Sequence, residues 1–180
     1  EISFTDVPKS HWAYDYIVSL AEKGAVSGYN DGSFCPGKNV LREEFVKILE
    51  DALGIGVSGE EADFADARGH WSSKYIAAAS ANGLVSGMDR DNFGIGQNLK
   101  REDLAVILFK CLPADKQAED ISDVHLFDDD AGIADYARTA VYSLRKAGII
   151  DGDNNMFRPK DSATRAEAAK IIYCLTEGVR

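Results

Sequence analysis

The sequence predicts an all-α fold of three helix-loop-helix repeats, and three observations predict it. One pattern of residues recurs three times at matched spacing along the 180 residues. Each copy carries two stretches with apolar residues at helical spacing, parted by a glycine-rich turn. Each copy is also too small to bury its own apolar faces, so the copies must pack on one another. A closed arrangement with pseudo-threefold symmetry satisfies all three.

The first copy reads Phe4-Thr5-Asp6-Val7-Pro8, His11-Trp12-Ala13, Gly24, Gly28 to Pro36, then Leu41-Arg42-Glu43-Glu44-Phe45. The second reads Phe64-Ala65-Asp66-Ala67, His70-Trp71-Ser72, Gly83, Gly87 to Phe93, then Lys100-Arg101-Glu102-Asp103-Leu104. The third reads Phe127-Asp128-Asp129, Tyr136-Ala137, Gly148, Gly152 to Pro159, then Thr164-Arg165-Ala166-Glu167-Ala168. Twelve residues separate Trp12 from Gly24, Trp71 from Gly83 and Tyr136 from Gly148; eight separate each Phe34, Phe93 and Phe157 from its arginine. The repeats divide the chain into 1–58, 59–118 and 119–180, with linkers at 54–63 and 113–125 that have room for extra helical turns.

Ser10 or a neighbour starts the first helix, which sets Trp12, Tyr16, Ile17 and Leu20 on one face. On that face Trp12 and Trp71 have two readings, core or exposed platform. Gly24, Gly83 and Gly148 end their helices as glycines free to take positive φ. A turn from Gly28 to Gly32 follows, and Phe34 is an apolar plug before Pro36. The second helix begins near Arg42 and carries Phe45, Ile48, Leu49, Ala52 and Leu53; its copies carry Leu104, Ile107, Leu108 and Ala168, Ile171, Ile172, Leu175. Thr164-x-x-Glu167 is a capping box. Leu41 and Lys100 cannot cap in that way, so the other two second helices start differently. Asp6, Asp66 and Asp129 read as structural, capping a helix or bonding a loop.

With 45% hydrophobic and 28% charged residues, the chain is globular rather than disordered. No apolar run approaches the roughly 18 residues of a membrane span, which argues against membrane insertion. There is no basic-then-apolar start, so any leader is expected to have been removed or to lie outside the sequence. The net charge of −10 argues against nucleic acid and means that an anionic ligand needs a local arginine cluster. Cys35, Cys111 and Cys174 lack CxxC spacing, so zinc is not expected and three free thiols are. Asp151-Gly152-Asp153-Asn154-Asn155 begins like a calcium loop, but Met156 replaces the glycine and Ser162 the closing glutamate. No metal and no cofactor is expected. Without a G-x-S-x-G, H-E-x-x-H or P-loop motif, or paired carboxylates with a partner, the expectation is no enzyme.

These residues resemble the S-layer homology family, whose repeats run roughly F-x-D-V, W-A, G, G-Y-x-D-G-T-F-x-P, then T-R-A-E. The resemblance covers nearly the whole chain. The first copy is close to it throughout. The third keeps Thr164-Arg165-Ala166-Glu167 but has Tyr136 for the tryptophan. The second departs most, with Ile95 for the proline and Asp91-Asn92 for Asp-Gly. The resemblance implies a three-pronged spindle around a central three-helix bundle. It implies inter-repeat grooves that bind a secondary cell-wall polysaccharide, often pyruvylated, with the motif arginine in the groove. It further implies a secreted anchor at a bacterial cell surface, fused to a larger surface protein.

The residue chemistry suits such a ligand. A pyruvate ketal carries a carboxylate that a planar guanidinium can bind through both oxygens, and Arg42, Arg101 and Arg165 stand in all three copies. Each lies in the first turn of a helix, where free N–H groups favour an anion. The alternative role for these arginines is an inter-repeat salt bridge. Trp12, Trp71, Tyr29 and Tyr136 can stack on sugar faces. Gly28, Asp31, Gly32 and Gly152 complete the candidate set as turn residues, the glycines admitting close backbone approach. At most two good grooves are expected, given the second copy's loop. The alternative function is a protein-interaction or self-assembly module of the cell surface with vestigial sugar grooves.

Overall fold

A computed structural model describes residues 2–57, 59–117 and 120–178. Its described residues form six α-helices: α1 (Tyr14–Glu22), α2 (Arg42–Leu53), α3 (Ser73–Ala81), α4 (Arg101–Cys111), α5 (Asp135–Lys146) and α6 (Arg165–Glu177). Two single 3₁₀ turns, Ala114–Lys116 and Asp130–Gly132, complete the helical inventory among the described residues. The fold is all-α, with only isolated β-bridges besides among the described residues. The second linker holds a helical turn; the described residues of the first hold none.

The first helices begin later than the sequence suggests. α1 starts at Tyr14, so Trp12 precedes it and stands 57% exposed, as Trp71 before α3 stands 55% exposed. Neither tryptophan is core. The histidine before each makes the turn: the Ala13 N–H donates to His11 Nδ1 at 3.1 Å, and His70 Nδ1 lies 2.8 Å from Ser72 Oγ. At both helix starts the N-cap residue, Ala13 or Ser72, makes no side-chain cap hydrogen bond. Each imidazole also lies against its tryptophan, with ring centroids 5.7 and 5.4 Å apart. Gly24, Gly83 and Gly148 close the first helices at φ of +74°, +71° and +73°.

Between helices the loop is clamped from beneath. The Asp6 carboxylate accepts the N–H groups of Phe34 and Cys35, both at 2.7 Å. Asp129 does the same for Phe157 and Arg158, at 2.9 and 2.6 Å. Asp66 takes three, from Phe93, Gly94 and Ile95. The residue after each phenylalanine adopts positive φ: +57° at Cys35, +96° at Gly94 and +55° at Arg158. The second copy, furthest from the family pattern, has the residue best suited to that backbone. Phe34, Phe93 and Phe157 are almost fully buried, each contributing roughly 1.5–3 kcal/mol.

The three copies join in a ring of backbone hydrogen bonds. Leu99 N–H donates to Val40 O at 3.0 Å, Ala163 N–H to Leu99 O at 2.8 Å, and Val40 N–H to Ala163 O at 2.9 Å. These residues hold one repeat position, two before each arginine, and all three are buried. One step outward, the Arg42, Arg101 and Arg165 N–H groups donate to Gln97, Asp161 and Lys38 O at 3.0, 2.9 and 2.9 Å. Each repeat thus bonds the next, and the third bonds the first. Each first helix packs on the preceding repeat's second helix: α3 on α2, α5 on α4 and α1 on α6; α2 also meets α6.

Candidate binding grooves

The arginines are the hinge between fold and surface. Nε of Arg42, Arg101 and Arg165 donates to Phe93, Phe157 and Phe34 O at 3.1, 2.8 and 2.9 Å, always in the next repeat. Each guanidinium also lies over that phenylalanine's ring, 5.0, 5.4 and 4.5 Å from its centroid. Arg42 and Arg165 spend Nη2 on Ser86 O and Ser27 O. Arg101 instead pairs with Glu167, while Arg42 Nη1 lies 3.8 Å from Asp103. Arg42 and Arg165 are buried; burial pulls the Arg42 guanidinium below its ordinary range, with Asp103 opposing.

Two sequence expectations change here. The first-turn N–H groups of the arginines are not free for an anion, because the next repeat's loop carbonyls accept them. Gly28 and Gly152 serve packing rather than ligand approach. A Cβ at Gly28 would lie 2.7 Å from Phe4 Cε1, and one at Gly152 2.6 Å from Phe127 Cε1.

Around each arginine opens a groove, and each groove draws on all three repeats. Groove 1, about 220 Å³, is walled by Ser27, Gly28, Tyr29, Glu44 and Lys47 of the first repeat, Trp71 of the second and Arg165 of the third. Groove 2, about 390 Å³, takes Gly87, Met88 and the α4 face of the second repeat, Arg42 of the first and Tyr136 of the third. Groove 3, about 540 Å³, takes Gly152 and the α6 face of the third repeat, Arg101 of the second and Trp12 of the first. In every groove the loop and second helix come from one repeat, the arginine from the preceding one and the aromatic from the following one.

The structure therefore brings together Arg42, Arg101, Arg165, Trp12, Trp71, Tyr29, Tyr136, Gly28 and Gly152 in three separate grooves. Asp31 and Gly32 stay outside them: Asp31 accepts the Ser33 N–H and hydroxyl at 2.9 and 2.7 Å, and Gly32 O accepts the Thr5 N–H. Both hold the turn. Glu167 keeps its capping-box bonds to Thr164 while pairing with Arg101, so it serves both helix and groove. Glu44 does half of that job, accepting the Leu41 N–H at 3.0 Å. Tyr136, 63% exposed, donates to Asp103 at 2.6 Å; burial of its hydroxyl and that bond push the phenol well up. Sequence reasoning missed Lys47 and Lys170, five residues after their arginines, and Lys100 and Lys110 in groove 2. Comparing the position five after each arginine, which reads Lys47, Val106, Lys170, would have found the first pair.

Cys35, Cys111 and Cys174 are free, and no cluster of metal-ligating side chains occurs among the described residues. No helix among them is long and apolar enough to cross a membrane.

The S-layer homology domain profile matches the chain three times, at residues 3–46, 63–105 and 126–169. The chain belongs to the S-layer homology family. It is 36% identical over 178 residues to an amylopullulanase of Thermoanaerobacterium thermosulfurigenes, covering 97% of this chain and 10% of that protein. It is 36% identical over 180 residues to exoglucanase XynX of Acetivibrio thermocellus, covering 98% and 16%. It is 36% identical over 171 residues to an S-layer protein of Bacillus licheniformis, covering 94% and 19%. The chain thus spans at most a fifth of the length of these three relatives. Family membership makes this S-layer homology chain a binding module of the bacterial cell surface, associated with the wall.

Proposed function

We propose that the three repeats, 1–58, 59–118 and 119–180, form a pseudo-threefold spindle that anchors a larger surface protein to the bacterial wall. Its grooves bind a secondary cell-wall polysaccharide, pyruvylated in the reading that best suits a guanidinium. The observation that carries this is the composition of the grooves: each sets an arginine, a loop and an exposed aromatic from three different repeats around one concavity. An exposed aromatic beside fixed polar groups suits a sugar ring, with one apolar face and a rim of hydroxyls. The longer relatives, named as enzymes or S-layer proteins, support a cargo beyond this chain. The anchor itself is non-catalytic.

Co-sedimentation with purified walls tests this. The chain is expected to pellet with walls that keep their secondary polymer and to stay in solution with walls stripped of it. Equal binding to bare peptidoglycan would overturn the proposal. If the chain instead binds no wall and self-associates with rising concentration in sedimentation velocity, the self-assembly reading replaces it.

A further inference from the structure

The three grooves share a plan but not a charge. In groove 3 every lining cation is matched: Arg101 pairs with Glu167, Arg158 with Asp153 at 2.9 Å, and Lys170 with Asp151 at 3.4 Å. Asp161 adds a further negative charge to its wall. Groove 2 is the reverse. Arg42, Lys100 and Lys110 line it against one acid, Asp103, whose Oδ1 is already occupied by the Tyr136 hydroxyl. Among the described residues neither Lys100 nor Lys110 makes an ion pair. Groove 1 lies between, with Lys47 tied to Asp51 at 2.7 Å and Glu44 on its wall; Arg165 there bonds two backbone carbonyls, as Arg42 does in groove 2.

The lysines of groove 2 are also set apart. Lys100 stands immediately before α4 and Lys110 near its end, so their backbones are about 15 Å apart at 1.5 Å per residue. That span exceeds one sugar ring. Arg42 enters from the facing repeat and Val106 and Ile107 supply an apolar wall. Tyr136 is held in place by its bond to Asp103, so its ring is ordered before a ligand arrives.

We infer, resting on the wall-polymer reading above, that groove 2 is the anion-selective groove and takes a stretch of glycan bearing two acidic groups. Groove 3, larger and internally neutralised, takes uncharged sugar. A polymer is thereby read by charge in one groove and by shape in another. Carboxylate and phosphate share the chemistry that Lys100 and Lys110 recognise, and treatment of the polymer separates them.

The test is NMR titration of the ¹⁵N-labelled chain with secondary polymer released from walls by a muramidase, used native, carboxyl-reduced or stripped of phosphate. The native polymer is expected to shift the Gly87 and Met88 amides. Removing whichever acid carries the charge should weaken that response at least tenfold and leave the Gly152 and Asp153 shifts in place. Lys100→Gln with Lys110→Gln, both exposed, should reproduce the loss at groove 2 alone. Native polymer that shifts only Gly152 and Asp153, or a double variant that binds like the parent, overturns the inference while leaving wall binding standing. No shift at any groove with any polymer overturns the wall-polymer reading, and this inference with it.

Discussion

Arg165 Nε donates to Phe34 O across 2.9 Å, joining the last repeat to the first. That bond closes a ring whose other two members are Arg42 with Phe93 and Arg101 with Phe157. The motif arginine is therefore part of the frame as well as part of the groove. Replacing it with alanine leaves the carbonyls of Phe34 and Ser27 without their donor. Arg165→Ala is expected to lower unfolding free energy by about 2–4 kcal/mol in urea titration. Arg165→Lys should recover little of this, since an ammonium cannot reproduce the fork that meets both carbonyls. An unchanged urea midpoint in Arg165→Ala would show that the ring closes without it.

Lost wall binding in a triple arginine-to-alanine variant would report the frame and the ligand together. The exposed aromatics separate the two.

The loop clamp gives a second prediction. Asp66 accepts three backbone N–H groups. Burial pushes its carboxyl up, but those bonds outweigh it and hold the group below its ordinary value. A carboxylate depressed in the fold contributes stability above the unfolded value and loses it as pH falls through the folded one. Asp66→Ala should cost about 2–3 kcal/mol near neutral pH. The gap between parent and variant should narrow on acidification below pH 4, measured by thermal unfolding.

Glu50 gives a third, with the opposite sign. It is 0% exposed on α2, neither carboxylate oxygen has a hydrogen-bond partner among the described residues, and burial followed by the nearby Asp51 raises its pKa to about 8. The other repeats have Phe109 and Tyr173 at this position. Between pH 4.5 and about 8 the folded chain holds a proton that the unfolded chain has lost. Stability from this group is thus complete below the lower value and declines as pH rises to the upper one. Glu50→Gln should flatten that decline and raise the urea midpoint at pH 8. A parent and variant with parallel profiles would rule the group out.

Much of the fold was legible because its signals are local. The glycines that end the first helices, the phenylalanine plugs and the capping box of Thr164 and Glu167 lie within a few residues of what they stabilise. The starts of the first helices were legible only to within a few residues, because His11 and His70 make the turn and the helices begin after it, at Tyr14 and Ser73. Trp12 and Trp71 then fall outside the helices and out of the core. The grooves were half legible. Nine candidate residues line them, but their grouping depends on which repeat follows which around the ring. Nothing near Arg42 in sequence says that its partners are Phe93, Asp103 and Tyr136. Asp31 and Gly32 looked like site residues because they belong to the family's turn; they shape that turn from outside the groove. The second copy looked weakest because Ile95, Asp91 and Asn92 depart from the motif. Its clamp still takes three amides, and its groove holds more unpaired cations than the others.

The most direct test of the account is wall binding by Trp12→Ala, Trp71→Ala and Tyr136→Ala combined. Trp12, Trp71 and Tyr136 are each more than half exposed, and the Tyr136 hydroxyl bonds to Asp103. Unfolding free energy should fall by less than about 1 kcal/mol, as for exposed positions. Affinity for polymer-bearing walls should fall at least tenfold, toward the level seen with walls stripped of polymer. Parent-like binding by a folded triple variant would contradict the claim that these three grooves hold the wall.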